Sequence, residues 1–325
     1  MHVISSEVWW PRALAHARAA FERSQPRQVR RARGEKNALE DFLWEYYPLR
    51  PGRLAVWHPG FADDAEPYAL LKPADDSGSV TPWQPGKEIP ESPLSWWLHH
   101  ASLPWHVTYE TEDGTAIVVD PSLLAHRSHG ISHLTALNSL LLKREATFGC
   151  LGWHEWAMVY QVDETRHPLP LRLGAARTNE LVEQAHIRCT HFDAFRFFAP
   201  EAMPLNKVQP TYESVLANEQ PGCIHTSMDM LRTCIQLGPL VPGELTIQAF
   251  DLAMEARTID MAASPYDCSS LGLAPIPIEN ADGKAEYIER QRAVTAKARP
   301  LREQILKILQ PLYDKISNIY PHMRR

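Results

Sequence analysis

Residues 244–261 read ELTIQAFDLAMEARTIDM, and this stretch decides the fold. Its apolar residues recur at the three- and four-residue spacing of an α-helix, and neither glycine nor proline interrupts it. The segment is long enough for about five helical turns. It predicts a long amphipathic helix, and therefore a chain whose core is built mainly from helices.

Helical spacing recurs on both sides of this segment. Further helices are predicted over residues 11–23, 38–47, 131–145, 178–185, 223–237 and 285–319. Thr178 is expected to be the N-cap of its helix. The last range is expected to form one or two C-terminal helices interrupted at Pro300 and Pro311, because proline lacks the backbone N–H that a helix interior needs.

Two other segments depart from the helical pattern. Residues 106–119, HVTYETEDGTAIVV, alternate as a β-hairpin does, and we expect Asp113–Gly114 to form the turn. Residues 57–93 are rich in proline, glycine, aspartate and serine, which indicates an irregular loop or lid. The expected architecture is mainly α with a few short strands, and residues 1–325 are expected to form one fused helical domain.

Composition limits the possible classes of protein. Of 325 residues, 44% are hydrophobic and 22% are charged, values typical of a folded globular chain. No run approaches the ~20 apolar residues of a membrane span, and no signal peptide is apparent, so we expect a cytoplasmic protein without membrane contact. The five cysteines are scattered without a C-x-x-C pair, which indicates reduced thiols and argues against a structural zinc site on cysteine.

Several common catalytic and binding motifs are missing from the sequence. It contains no G-x-S-x-G, no dinucleotide or P-loop glycine pattern, and no H-E-x-x-H. The net charge of -6 gives no overall attraction to nucleic acid, although residues 27–36, RQVRRARGEK, carry five basic side chains. That run indicates either a solvated surface or a contact with a polyanion.

Residues 149–229 are the expected active-site segment, because three histidine–carboxylate pairs lie within them. The pairs are His154–Glu155, His191-x-Asp193 and His225-x-x-x-Asp229. On a helix, residues four apart share one face, and on a strand residues two apart do the same. Each pair can therefore present both groups to one ligand, and two pairs can converge.

The six side chains of these pairs allow more than one function. Two histidines and a carboxylate form a set that binds iron, manganese or zinc, and such an enzyme would act on a small molecule. The same pairs are also typical of buried hydrogen-bonded contacts that only hold the fold together. A non-catalytic binding or scaffold protein therefore remains an alternative.

Five longer segments resemble bacterial proteins catalogued as 3-methyladenine DNA glycosylases. They are RRARGEKNALEDFLWEYYPLRP (30–51), FGCLGWHEWAMVYQ (148–161), IRCTHFDAFRFFAPEAMPLN (187–206), QPTYESVLANEQPGCIHTSMDM (209–230) and DMAASPYDCSSLGLAPIPIE (260–279). The resemblance covers most of the chain, from about residue 30 to the C-terminal helices.

This resemblance implies hydrolysis of the bond between an alkylated purine and deoxyribose in damaged DNA, without a cofactor. Such an enzyme extrudes the base, stacks it on aromatic side chains and directs water with a carboxylate. The residues implied for these roles are Trp153, Trp156, Phe192 and Arg196 for the base, Glu155 or Asp193 with His154 for catalysis, and Arg30, Arg31 and Arg33 for phosphates.

Overall fold

The computed structural model describes residues 1–74 and 80–319, and it confirms a mainly α fold with a few short strands. The longer helices are α1 (Ser6–Ala32), α4 (Pro93–Ala101), α6 (Ser128–Lys143), α8 (Gly174–Gln184), α11 (Ile224–Leu237), α12 (Gly243–Ala263) and α13 (Ala281–Ile319). The shorter ones are α2 (Phe42–Tyr46), α3 (Pro51–Ala55), α5 (Ser122–His126), α7 (Trp153–Ala157), α9 (Phe192–Phe195) and α10 (Val215–Asn218). The strands are β1 (His2–Ile4), β2 (Tyr68–Leu71), β3 (His106–Thr111) and β4 (Gly114–Val119).

Helix α12 is the centre of the molecule. It packs against α11 and α13, and α13 in turn packs against α6. The small side chains of Ala249, Ala253 and Ala256 are completely buried and allow the neighbouring helices to approach closely. The helix predicted over 244–261 is therefore confirmed, but thirteen of its 21 residues are buried, more than one apolar face would supply.

Helix α13 runs without a break from Ala281 to Ile319, so the predicted interruptions at Pro300 and Pro311 are wrong. Each proline removes one backbone hydrogen bond, a local cost that packing can outweigh. The residues that pack are fully buried along one side of the helix and include Val294, Ile305 and Leu309.

Two other predicted helices are shifted or shortened. Helix α8 begins at Gly174 rather than at Thr178, whose hydroxyl donates to the Gly174 carbonyl inside the helix. The helix predicted over 38–47 is reduced to the five residues of α2. None of the helices in the two described ranges is long and apolar enough to cross a membrane.

The four strands form one sheet in the order β1-β2-β4-β3. The predicted hairpin is present, but Thr111 pairs with Gly114, so Glu112 and Asp113 occupy the turn instead of Asp113 and Gly114. The Thr111 hydroxyl stabilises this turn by donating to the Gly114 carbonyl at 2.7 Å.

The described part of the range 57–93 is largely irregular, as predicted, but it includes one strand. It contains strand β2, which pairs with β1 and β4, and its Trp57 and Trp83 side chains are buried in the main apolar core. Residues 75–79 of this range lie outside the described part of the chain. Strand β2 and these two tryptophans therefore attach the range to the sheet and the core.

Candidate functional site

The three predicted histidines lie next to one another in a continuous row. His154 is on α7, His225 is on α11, and His191 immediately precedes α9. The ring of His225 lies edge-on to His154, at 4.4 Å between centroids, and stacks on His191 at 5.2 Å. Residues far apart in sequence are thus brought to one place.

Gly152 makes the position of α7 possible. It has a left-handed backbone with φ of 76°, which glycine adopts without strain. A Cβ atom at this position would lie 3.3 Å from the Tyr287 ring and 3.4 Å from the Ala263 side chain. This close approach holds His154 and Glu155 against α12 and α13.

His154 and Glu155 are buried, and each pairs with a residue of α12. His154 Nε2 lies 2.7 Å from Asp260 Oδ1. Arg257 Nη1 donates both to Glu155 Oε1, at 2.6 Å, and to Asp260 Oδ2, at 2.9 Å. We call these four side chains the buried charge network. The histidine and glutamate that are adjacent in sequence are therefore joined through Arg257 and Asp260.

The protonation states of this network follow from its contacts. Burial alone raises the pKa of Asp260, but the neighbouring His154 and Arg257 hold it well below its ordinary value. Burial lowers the pKa of His154, yet Asp260 outweighs it and raises that pKa well above its usual range. His225 has a pKa well below the usual range because it is buried and faces His154 and His191. The neutral imidazole of His225 therefore faces the protonated imidazole of His154.

A second group of charged side chains surrounds His191. Its Nδ1 lies 2.7 Å from Glu219 Oε1, and its Nε2 lies 3.6 Å from Asp229 Oδ2. Burial lowers the pKa of His191, but the two carboxylates outweigh burial and raise it to about 9. The acid partner of His191 is thus Glu219, not the Asp193 of the predicted pair.

Asp229 receives a hydrogen bond from the Tyr47 hydroxyl, at 2.9 Å. Arg232, one turn further along α11, contacts the carboxylate of Asp193 and lies 3.6 Å from that of Asp229. Burial is the main cause that raises the pKa of Asp229, although His191 and Arg232 oppose it. Asp229 is therefore a carboxylate that takes up a proton more readily than usual.

A cavity of about 230 Å³ opens beside this second group. Three carboxylates line it together with the aromatic side chains of Phe192 and Tyr212. The carboxylates are Asp193, Glu219 and Asp229. An engineered cavity of about 150 Å³ in another protein binds benzene. The larger cavity here therefore has room for a bicyclic ring.

The cavity is lined by residues of α6, α11 and α13, and Arg302 connects the three helices. Its guanidinium donates to Asn138 Oδ1 at 3.1 Å and to the Thr226 carbonyl at 3.2 Å. Burial lowers the pKa of Arg302 to about 10 despite the nearby Glu219 and Asp229. Arg302 therefore fixes the cavity wall and remains positively charged at neutral pH.

The predicted iron, manganese or zinc site has two possible positions here. Donor atoms lie within 4.8 Å of one another in the group His154, His225 and Asp260, and also in the group His191, Asp193 and Asp229. In both groups an arginine already contacts a carboxylate: Arg257 on Asp260 and Arg232 on Asp193. These donor sets suit ion pairs better than a divalent cation, and the metal ion stays a prediction.

The residues that the resemblance implies for base and phosphate binding differ in how deeply they are buried. Trp153 and Trp156 are buried in the main core, where they cannot stack on an extruded base. Arg30 is paired with Glu40 and Asp41, whereas Arg31 and Arg33 are exposed. The exposed Arg196 pairs with Asp193 at 3.0 Å, and the half-buried Phe192 lines the cavity.

Comparison of the chain with protein-family models, with curated proteins and with solved structures gives no match. The function is therefore argued from the site itself. Of the predicted site residues, His191, Phe192, Asp193 and Asp229 line the 230 Å³ cavity, and His154 and Glu155 do not.

Five residues that the sequence analysis did not single out are central to the site: Tyr47, Glu219, Arg232, Arg257 and Asp260. One signal was available for two of them. Arg257 and Asp260 are charged residues on a helix rich in alanine, three positions apart and surrounded by small side chains. Buried charges of this kind require partners, and that requirement indicates a network.

The pKa of His191 predicts how stability depends on pH. The pKa of a histidine in the unfolded chain is about 6.5, whereas that of His191 in the folded protein is about 9. Protonation of His191 therefore stabilises the fold fully below pH 6.5, and this stabilisation is lost as pH rises through 9. This contribution is about 3 kcal/mol. In urea denaturation, the difference in unfolding free energy between wild type and His191→Gln should shrink by that order from pH 6 to pH 9.5.

The exposed His129 supplies a control for the loss of an imidazole, because His129→Gln removes the same group from the surface of α6. A difference between wild type and His191→Gln that stays constant across this pH range would contradict the assigned protonation state.

Proposed function

We propose that the protein hydrolyses the N-glycosidic bond of an alkylated purine, with the base bound in the 230 Å³ cavity and Asp229 as general base. The observation that carries the proposal is a partly accessible carboxylate of raised pKa in a cavity with room for a purine and an aromatic wall. The resemblance of the sequence to glycosylases supplies the reaction type.

The aromatic wall of the cavity supports this substrate. An alkylated purine such as 3-methyladenine carries a positive charge while it is attached to deoxyribose, and the cavity offers it three carboxylates, although His191, Arg232 and Arg302 balance their charge. Phe192 and Tyr212 lie edge to face, with centroids 6.3 Å apart, and offer π-faces to a cationic ring. Tyr212 is 73% exposed, so it lies where a base could enter.

Asp229 fits the role of base better than Glu155 does. Glu155 is held by Arg257 in the buried charge network, whereas Asp229 lines the cavity. In the proposed step, Asp229 takes a proton from water as the water oxygen bonds to C1′. The bond from C1′ to the purine nitrogen breaks, and its electron pair leaves with the base. Because the alkylated base is cationic, it departs as a neutral molecule without a general acid.

A surface cleft next to the cavity supports contact with the DNA backbone. It has a volume of about 710 Å³, and its lining includes three cationic side chains, Lys36, Arg166 and Arg196, and two carboxylates, Asp41 and Glu45. The guanidinium groups of both arginines lie over the ring of Phe197, at 4.4 and 4.6 Å from its centroid. Because Arg196 also pairs with Asp193, which lines the cavity, cleft and cavity adjoin. These cations would bind phosphates.

Release of methylated purines from methylated duplex DNA, measured by chromatography with mass spectrometry, tests the proposal. Leu137 lines the cavity from α6, whereas the adjacent Ala136 is exposed and does not. We expect Leu137→Trp to fill the cavity and reduce the release rate by about 100-fold, a loss that misplacement of a substrate produces.

Ala136→Trp is the matched control, because it adds the same indole to the same helix outside the cavity. It should keep the rate of wild type. A folded wild-type protein that releases no base, or equal rates in the two variants, would show that this cavity does not perform the reaction.

A further inference from the structure

A third group of histidines lies outside residues 149–229, the expected active-site segment. His58 follows α3, His100 is on α4 and His106 begins β3. One ring nitrogen from each lies within 4.8 Å of the other two. The ring centroids are 5.4 Å apart for His58 and His106, 5.1 Å for His58 and His100, and 4.6 Å for His100 and His106.

Each of these histidines has a buried ring nitrogen without a hydrogen-bond partner in the described part of the chain. The atoms are Nδ1 of His58, Nδ1 of His100 and Nε2 of His106. Leaving a buried polar atom unpaired costs roughly 1–3 kcal/mol, so one such atom on each of three neighbouring rings requires an explanation. A ligand that accepts electron pairs from all three nitrogens would provide one.

The orientation of His106 also favours a ligand. Its Nδ1 lies 3.0 Å from the Pro104 carbonyl oxygen, to which it donates its proton. The lone pair of the ring therefore resides on Nε2, the buried atom without a partner. Histidines that bind metal ions are usually held in this way, by a backbone carbonyl at the other nitrogen. His100 is held by its ring, which stacks on Trp96 with centroids 4.4 Å apart.

The electrostatic surroundings keep these imidazoles neutral. Burial lowers the pKa of His58 and of His100 well below the usual range, and burial also lowers that of His106. The titratable groups that act on His58 are His106, His16 and Arg53, and all three lower its pKa further. Neutral imidazole is the form that binds a metal ion, so no proton has to leave at neutral pH.

We propose that His58, His100 and His106 bind a divalent transition-metal ion, and that zinc is the ion that fits best. Three imidazoles are a donor set for zinc, which also takes a fourth ligand such as water. Zn–N bonds of 2.0–2.1 Å place tetrahedral nitrogens about 3.3 Å apart, so the three nitrogens, which lie within 4.8 Å of one another, must approach by up to about 1.5 Å when the ion binds. No arginine–carboxylate pair occupies this donor group, unlike the two groups beside the cavity.

The bound ion would connect two parts of the chain. It would join the segment after α3 to α4 and to the sheet, and His58 and His100 are 42 positions apart in sequence. A ligand that binds only the folded state stabilises it by mass action. The site therefore has a structural role that is independent of the proposed hydrolysis, and either proposal can fail without the other.

Titration of chelator-treated, dialysed wild-type protein with Zn²⁺ by calorimetry tests the site. We expect one equivalent to bind, and a rise in the unfolding temperature with added Zn²⁺. His58→Gln and His106→Gln should each weaken binding by about 100-fold or more. His129→Gln, on the surface, and Asp229→Asn, in the cavity, should bind as wild type does.

X-ray absorption of the zinc-loaded wild type gives an answer even if a variant fails to fold. Three imidazole nitrogens at 2.0–2.1 Å support the site. Sulfur ligands in the absorption spectrum would place the ion at the buried cysteines instead. The proposal is wrong if wild type binds no Zn²⁺, or if both histidine variants bind it as tightly as wild type.

Discussion

Arg257→Met will lower the free energy of unfolding by about 3–5 kcal/mol, the usual effect of removing one partner from a buried ion pair. The guanidinium is 1% exposed and contacts both Glu155 and Asp260. Without it, two buried carboxylates share only the positive charge of His154. Methionine fills a similar volume, so most of the loss will report the unpaired charge and not a cavity.

Urea denaturation measures this loss, and Arg290→Met is the matched control. Arg290 pairs with Glu286 on the surface of α13, where both side chains are more than 40% exposed. Exposed pairs of this kind contribute about 0–1 kcal/mol. If the two variants lose stability equally, the buried charge network does not contribute as its geometry predicts.

Asp229→Asn will reduce the rate of base release by about 10²–10⁴-fold, the usual contribution of a general base. The amide retains an oxygen that accepts the hydrogen bond from Tyr47, so the cavity should keep its shape. It cannot take a proton from water. Single-turnover release from methylated DNA, with enzyme in excess, separates this chemical step from DNA binding.

Asp251→Asn serves as the control, because Asp251 is an exposed aspartate of α12 that pairs with Arg23 of α1 and does not line the cavity. It should leave the rate unchanged. Normal release by Asp229→Asn would exclude Asp229 as the base, and the reaction would then require Glu219 or Asp193.

The sequence predicted the parts of the fold that depend on local pattern. Helical periodicity located α12 and α11, and alternation located the β3–β4 hairpin, because these elements bury side chains at a regular spacing. It did not predict β1, which has three residues and depends on pairing with β2, where His2 lies opposite Tyr68. It also placed breaks at Pro300 and Pro311, where long-range packing outweighs the lost hydrogen bonds.

The histidines and carboxylates of the site were predictable as residue types, but their partners were not. His154 and Glu155 are adjacent in sequence, yet adjacent residues on a helix point in different directions. Their actual partners, Asp260 and Arg257, are more than 100 residues away. Only tertiary packing brings such groups together, so a local spacing rule could not identify them.

The hydrogen bond from Arg302 to Asn138 has a consequence for folding kinetics. It connects residues 164 positions apart, and the entropy of closing so long a loop delays such contacts in folding. We therefore expect the wall of the cavity to be completed late, after the local helices have formed. Until then Asp229 would lack the burial that raises its pKa. A partly folded chain would thus have this carboxylate without the environment that sets its affinity for protons.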